Sequence, residues 1–421
     1  SASHPEAFSL EITGSDIHIT CNTGAGLFYA VKVLNQLATQ TNGLLPCMSL
    51  KDEPALDIRG IMLDIGRDKI PSMETLFSLL DLFSDMRINH VQLYMEGFCF
   101  QYEAFQYLFA GETPLAPDEF QELSVYAKKR FIDLVPNQNV LGHMEKWLEK
   151  PQFNPLAECE DGYLFENIYW RPPMTLDVRD PGSFHLAETL LDPLLQQSQS
   201  EYINVNMDEP FELGAGKNKE AAKKEGRMGL YFEYLEKLHA YCQKKGKKMM
   251  VWGDEILHHP ECVPHFPSDI TLLDWIYEGE ADFTSHAQLM KETGLSFCLC
   301  PGTSSWGSLT GRFDNMKKNI KNAVHAAVEY GGRGIITTDW GDLGHWQYLS
   351  VSYPGYAFSA GYSWSGYQSD DTSVSWYCNR FIYRSSDGSA FKTAQNLGNY
   401  YHLEQAPLYN TTLAFAVMSS K

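Results

Sequence analysis

The sequence predicts an α/β fold built on a closed (β/α)8 barrel, with a small, partial α/β domain before it and a helical segment after it. Three observations predict it. Strand-like and helix-like runs alternate eight times from residue 58 onward. The first run ends in Asp64-Ile65-Gly66-Arg67-Asp68, which is not the glycine-rich phosphate turn that more often opens a doubly wound sheet. Carboxylates and aromatic rings gather where the runs end, and barrel active sites lie at strand carboxyl ends.

Residues 1–57 read as the small α/β element. The stretches 7–12 and 17–21 alternate like half-buried strands around the turn Thr13-Gly14-Ser15-Asp16. Residues 24–38 follow with apolar positions at helical spacing, Leu27, Val31, Leu34 and Leu37. The barrel is assigned to 58–365. Its strands are expected at 58–65, 90–95, 132–136, 202–207, 248–252, 270–275, 295–299 and 334–338. Helices are expected at 72–86, 118–130, 184–197, 229–245, 283–292 and 314–329. Residues 139–182, rich in Pro, Trp and Tyr, form a long insertion suited to a loop at the barrel mouth. From about residue 350 the chain is aromatic-rich with helical patterning. It supplies the eighth helix, then an extension, 366–421, packed on the barrel.

Bulk properties narrow the function. A chain of 421 residues can bury a large core. A net charge of −20 argues against nucleic acid or an anionic membrane surface as partner. No run approaches the roughly 18 apolar residues of a membrane span, and the N-terminus shows no basic-then-apolar leader. The nine cysteines are odd in number and several sit in apolar runs, as in Phe297-Cys298-Leu299-Cys300, so they read as buried free thiols. These features favour a soluble, cytoplasmic protein, although a chain cut from a longer precursor would look the same. The single Asn410-Thr411-Thr412 sequon is too common by chance to argue otherwise.

Residues 202–210, Tyr-Ile-Asn-Val-Asn-Met-Asp-Glu-Pro, carry most of the functional information. Neighbouring strand residues face opposite ways, so Asp208 and Glu209 can share a site only where the backbone turns out of the strand. Pro210 marks that turn and disfavours helical geometry at Glu209. An isolated Asp-Glu pair is more often a solvated loop. Here similar endings recur: Asp64 with Arg67, Glu96, Asn139 with His143, Trp252 with Asp254, Trp275 with Tyr277, Trp306, and Trp340 with Asp342. A single tryptophan is usually core, but four around one mouth form a cup. Indole faces with polar groups between them suit a sugar ring, whose C–H faces stack while its hydroxyls bond.

Together these motifs resemble glycoside hydrolase family 20, the exo-β-N-acetylhexosaminidases. The resemblance rests on Arg59-Gly-Ile-Met-Leu-Asp64-Ile-Gly-Arg67, Gly142-His143, Asp208-Glu209 and Trp340-Gly341-Asp342, in that order, and covers roughly residues 6–365. It implies removal of terminal β-linked GlcNAc or GalNAc by substrate-assisted retaining hydrolysis, with a glycan as partner and no cofactor or metal. In that scheme Glu209 is the general acid and base, and Asp208 orients the substrate's 2-acetamido group. Such an acid needs a raised pKa, which a second carboxylate and an aromatic enclosure can provide. By position, Arg67 and Asp342 grip ring hydroxyls from opposite walls, with Glu96 and Trp306 nearby. Trp252, Trp275 and Trp340 box the sugar and its acetamido methyl. Tyr277 is the candidate donor to the acetamide oxygen; the family commonly supplies that tyrosine after the seventh strand, where this chain has 301–306, Pro-Gly-Thr-Ser-Ser-Trp. Many members carry a histidine where this chain has Asn204 and an aspartate where it has Asn139, so a neutral amide connection to the acid is expected. Two readings stay open beside this one. A metal-dependent barrel hydrolase would use Asp64, His143, Asp208, Asp254, His258 and His259. A sugar-binding pseudoenzyme would keep the aromatic cup without turnover, and hydrolysis by a direct enzyme nucleophile is a further variant.

Overall fold

The computed structural model describes residues 4–166 and 168–420, with only the backbone for Ile256. Eight parallel strands close into a barrel in chain order. They are Ile58–Asp64, His90–Met95, Asp133–Gln138, Tyr202–Asn204, Lys248–Trp252, Thr271–Trp275, Ser296–Cys300 and Gly334–Asp339. The eighth pairs with the first to complete the ring, from Gly334 beside Ile58 to Asp339 beside Leu63. A continuous layer of aliphatic and aromatic side chains fills the space between strands and outer helices.

The helices begin where their caps allow. Ser72 accepts from Thr75 N and starts Met73–Asp85, satisfying one of the orphan donors of a helix N-terminus. Asp180 does the same for Gly182 N, with Pro181 in the first turn, so that helix runs Pro181–Gln197. It starts earlier than its apolar spacing alone predicts, because the cap and the proline fix the end. Short elements not expected from the sequence include the strand Met48–Asp52, the helices Glu145–Leu148 and Lys219–Glu225, and the hairpin of Tyr163–Phe165 with Tyr169–Arg171 inside the long insertion.

The leading element is a three-stranded antiparallel sheet with Phe8–Ile12 between Ile17–Cys21 and Met48–Asp52. One helix, Gly24–Gln40, packs on it. Its buried face matches the expected one only in part: Leu34 and Leu37 pack against the small domain's core as expected. Tyr29, Ala30 and Val33 point inward, whereas Leu27 and Val31 are exposed. Tyr29 is drawn inward by Trp364 of the eighth helix, Tyr353–Ser365, at 5.6 Å between ring centroids. Fully buried Arg59 lies against the same indole and pairs with Glu6 at 2.6 Å. The C-terminal extension is helical in its Asp371–Tyr377, Ser389–Gly398 and Leu413–Ser419 stretches. Among the described residues all nine cysteines are unpaired, and no helix is long and apolar enough to cross a membrane.

Candidate active site

The fourth strand is the shortest of the eight, and its early end builds the site. Sequence patterning extends it to Met207, but regular pairing stops at Asn204. Asn206, Met207 and Glu209 all adopt left-handed backbone, with φ of 63°, 69° and 47°. Such residues cost of order 1 kcal/mol each and persist only where the surroundings over-determine them. Asn206 shows how. Its Oδ1 accepts Trp252 Nε1 at 2.6 Å, its Nδ2 donates to Asn137 at 2.8 Å, and its carbonyl accepts Trp252 N at 3.0 Å. The amides continue inward. Asn137 and Asn204 both donate to Gln92 Oε1, at 2.7 and 3.0 Å, and Gln92 Nε2 donates to His90 Nε2 at 2.9 Å. Burial, with help from the Arg333 charge, pushes the His90 pKa down to about 3, so the chain of amides ends on a neutral imidazole.

The left-handed turn lets two consecutive carboxylates enter one cavity of 190 Å³. That is below the roughly 300–1,000 Å³ of pockets for drug-sized ligands and suits a single ring. Asp208 Oδ1 accepts Asn139 Nδ2 at 3.1 Å, and its Oδ2 lies 3.3 Å from His143 Nε2. The same imidazole nitrogen is 3.4 Å from Glu209 Oε2. Burial works to lower the His143 pKa, but Asp208 and Glu209 outweigh it and hold it well above the usual histidine value. The two acids thus favour the protonated form of the imidazole between them. Gly142 before it is needed for contact: a Cβ there would stand 2.4 Å from the Asp208 carbonyl oxygen. Behind Glu209, Asp254 Oδ2 accepts the Glu209 N–H at 3.1 Å. Burial first, then the charges of Asp208 and Glu255, push the Asp254 carboxyl well above its usual range.

On the facing wall, Arg67 is held by three carboxylates, Asp64 at 3.0 Å, Asp342 at 3.2 Å and Glu96 at 3.4 Å. Its guanidinium also lies 5.0 Å from the Trp340 ring and 5.2 Å from Tyr94. Burial raises the Asp64 pKa to about 6 against the pull of Arg67. The aromatic wall consists of Trp275 stacked on Tyr277 at 5.5 Å, with the Trp340 indole N–H donating to the Tyr277 hydroxyl at 2.8 Å.

Eight of the expected residues line the cavity. Arg67 and Asp342, expected on opposite walls, are instead drawn together as an ion pair at 3.2 Å and form one wall; Trp275, Tyr277 and Trp340 form another, with His143, Asp208 and Glu209 between them. The other four stand behind it. Trp252 backs Trp340 at 6.2 Å, and Trp306 meets Tyr277 edge-on at 5.1 Å; each is 1% exposed, so neither indole is free to stack on a ligand. Glu96 and Asn139 reach the cavity through Arg67 and Asp208. The expected amide connection to the acid is also different. Asn139 bonds Asp208 and Asn204 bonds Gln92, and what touches Glu209 is His143 and the Asp254 carboxyl. His258, needed by the metal reading, is exposed with its ring against the Asp254 carbonyl, and His259 faces Glu261. Two further residues complete the lining, Tyr409 and Asn410 from the C-terminal extension. No pattern in the sequence ties them to acids about 200 positions earlier.

A (β/α)8 barrel whose mouth holds a carboxylate pair, a clamped arginine and an aromatic wall around space for one ring has a site with the size and chemistry to take a sugar. The comparisons identify the family. The model of the glycosyl hydrolase family 20 catalytic domain matches residues 57–352, and that of the family's domain 2 matches residues 1–53. The chain belongs to glycosyl hydrolase family 20. Among curated relatives, it is 25% identical over 264 residues to a lacto-N-biosidase of Bifidobacterium bifidum, covering 60% of this chain and 23% of that protein. It is 23% identical over 216 residues to β-hexosaminidase subunit A1 of Dictyostelium discoideum, covering 48% and 39%. The chain thus spans less than half the length of these relatives. A family 20 exo-β-N-acetylglucosaminidase from Vibrio harveyi, solved with N-acetylglucosamine, superposes with TM-score 0.70 at 16% identity, over 94% of this chain and 67% of that one. A second solved β-N-acetylhexosaminidase gives TM-score 0.73 at 17% identity, over 91% and 89%. At these identities the likeness shows the shared fold.

Proposed function

We propose that the chain is an exo-acting β-N-acetylhexosaminidase that releases terminal β-linked GlcNAc or GalNAc from glycans by substrate-assisted retaining hydrolysis. The observation that supports it is the entry of two adjacent carboxylates, both within 3.4 Å of His143 Nε2, into one single-ring cavity. In this reading Glu209 protonates the glycosidic oxygen and Asp208 accepts the acetamide N–H. As the acetamide oxygen attacks the anomeric carbon, the bond to the leaving oxygen breaks and Glu209 delivers its proton there. A cyclic oxazolinium results. Water then opens it with Glu209 as base, restoring the acetamide and the original configuration.

The surroundings fit a cationic transition state. Two cations, Arg67 and His143, sit among the carboxyl groups of Asp64, Glu96, Asp208, Glu209, Asp254 and Asp342. Preorganised acceptors of this kind stabilise positive charge developing at the anomeric carbon without reorganising. Asn139 donates to one Asp208 oxygen and His143 lies 3.3 Å from the other, which restrains the carboxylate's orientation. The Tyr277 hydroxyl already accepts from Trp340, so its proton is the part available to the acetamide oxygen. Arg67 and Asp342 would hold ring hydroxyls, the guanidinium through its planar fork. In this reading residues 58–365 are the catalytic barrel, 1–57 a supporting domain, and 366–421 an extension that finishes the pocket.

The test is Glu209→Gln, which should abolish hydrolysis of unactivated N-acetyl-β-hexosaminides. Azide should partly rescue Glu209→Ala on substrates with good leaving groups, giving a β-glycosyl azide. A Glu209→Gln enzyme that retains wild-type rates on unactivated substrates ends the proposal.

A further inference from the structure

Tyr409 and Asn410 enter the cavity from a segment outside the barrel, and the way they are held there is specific. Asn410 donates its backbone N–H to Glu278 Oε1 at 2.8 Å. Glu278 adjoins Tyr277 in the chain, and both its oxygens accept from Arg312 Nη1 at 2.9 Å. Arg312 is 3% exposed, so this ion pair is a built-in anchor rather than a surface contact. The following residues tie the segment down again. Thr411 Oγ1 donates to Gly307 O at 2.6 Å, and Thr412 N donates to the same carbonyl at 3.0 Å. Asn410 is placed by this double anchorage in left-handed backbone, φ 60°, a conformation asparagine tolerates better than most residues.

Both residues line the cavity. Asn410 Oδ1 is buried and has no hydrogen-bond donor among the described residues, although its residue forms part of the cavity wall. A buried amide oxygen without a partner is costly, and one in the wall of a sugar-sized cavity is an acceptor ready for a ligand. Tyr409 is 66% exposed and lines the same cavity as Glu209. An exposed ring in the wall of a single-sugar cavity offers a stacking face beyond the first sugar.

We propose that the C-terminal segment is part of the substrate site: Asn410 accepts a hydrogen bond from a hydroxyl or N–H of the bound amino sugar, and Tyr409 is the platform on which the leaving sugar stacks. This rests on the hydrolase reading above and adds to it that the extension sets specificity on both sides of the cleaved bond.

The experiment uses full-length Asn410→Gly, Tyr409→Ala and Tyr409→Phe. Glycine at 410 removes the amide without straining the left-handed backbone, and urea unfolding checks that each variant is folded. N-acetylglucosamine, which has no leaving group, is titrated by tryptophan fluorescence. KM is measured for a β-linked N-acetylglucosamine disaccharide and for the methyl β-glycoside. Asn410→Gly should weaken monosaccharide binding by about tenfold, the range of one lost hydrogen bond. Tyr409→Ala should leave monosaccharide binding within about twofold but raise KM for the disaccharide several-fold more than for the methyl glycoside, with Tyr409→Phe restoring it. Unchanged monosaccharide binding in Asn410→Gly, or equal KM changes for both glycosides in Tyr409→Ala, overturns the corresponding half. If the wild type cleaves neither glycoside, the hydrolase reading fails by itself. Titrations with the monosaccharide and the uncleaved disaccharide then decide both halves by the same criteria.

Discussion

Tyr277→Phe removes one oxygen atom from the centre of the proposed mechanism, and two separable losses follow. The first is structural. Trp340 Nε1 donates to that oxygen at 2.8 Å, with the tyrosine 5% and the tryptophan 7% exposed. Phenylalanine keeps the stacking with Trp275 but leaves a buried indole N–H without an acceptor, at a cost of about 1–3 kcal/mol. The second is catalytic. Burial holds the Tyr277 pKa well above the ordinary tyrosine value, so the hydroxyl keeps its proton through any working pH and can donate to the acetamide oxygen. Loss of a preorganised donor at a reacting oxygen typically lowers kcat by about 10²–10³-fold. The assay is steady-state hydrolysis of an aryl N-acetyl-β-hexosaminide, with urea unfolding in parallel. A stability loss accompanied by kcat within about threefold of wild type would refute the assignment, and Tyr277 would then only pack the wall.

Two other perturbations test the supports of the site. Asn206→Ala should lower both stability and kcat, because it places alanine at φ 63° and strands the Trp252 indole N–H; about 2–4 kcal/mol of unfolding free energy is expected from these two costs together. Unfolding by urea measures the first effect, and a variant of normal activity would show that the acid pair does not depend on this amide. Glu212→Gln tests the pH response. Buried Glu212 accepts Met174 N and Thr175 N at 2.9 Å each, and burial raises its pKa from the ordinary glutamate range to about 7. Between those two values the folded state binds the proton more tightly than the unfolded state, so stability falls as pH rises and levels off above about 7. The drop is of order 3 kcal/mol at about 1.4 kcal/mol per pH unit. Glutamine keeps the acceptor without the charge, so the variant should lose this slope; an unchanged slope between pH 5 and 8 would contradict the argument.

Much of this was legible in the sequence because the barrel's own periodicity announces it. Apolar runs such as Ile270 to Trp275 and Gly334 to Thr338 fall within about a residue of the strands, and strand ends point to the mouth by topology alone. The Asp208-Glu209 reading rested on a required turn, and the left-handed residues 206, 207 and 209 supply it. Periodicity failed where side-chain chemistry took over. The fourth strand ends early because Asn204 and Asn206 use their amides against neighbouring strands and backbone. Leu27 and Val31 fit a helical stripe, yet the indole of Trp364, more than 300 residues away, selects Tyr29 instead. Composition could count tryptophans but not rank their depth, so Trp252 and Trp306 were placed with Trp275 and Trp340 although they pack one layer further out. The contributions of Tyr409 and Asn410 depend on an anchor, Glu278 with Arg312, that exists only in three dimensions.

The claim beneath everything else is that the substrate's own acetamide performs the attack while Asp208 steers it. Hydrolysis of aryl β-N-acetylglucosaminide, aryl β-N-acetylgalactosaminide and aryl β-glucoside by the same preparation, with and without a thiazoline mimic of the cyclised acetamide, tests it most directly. The account predicts cleavage of one or both amino sugars, strong inhibition by the thiazoline and no measurable cleavage of the glucoside. Comparable cleavage of the glucoside, indifferent to the thiazoline, would contradict it.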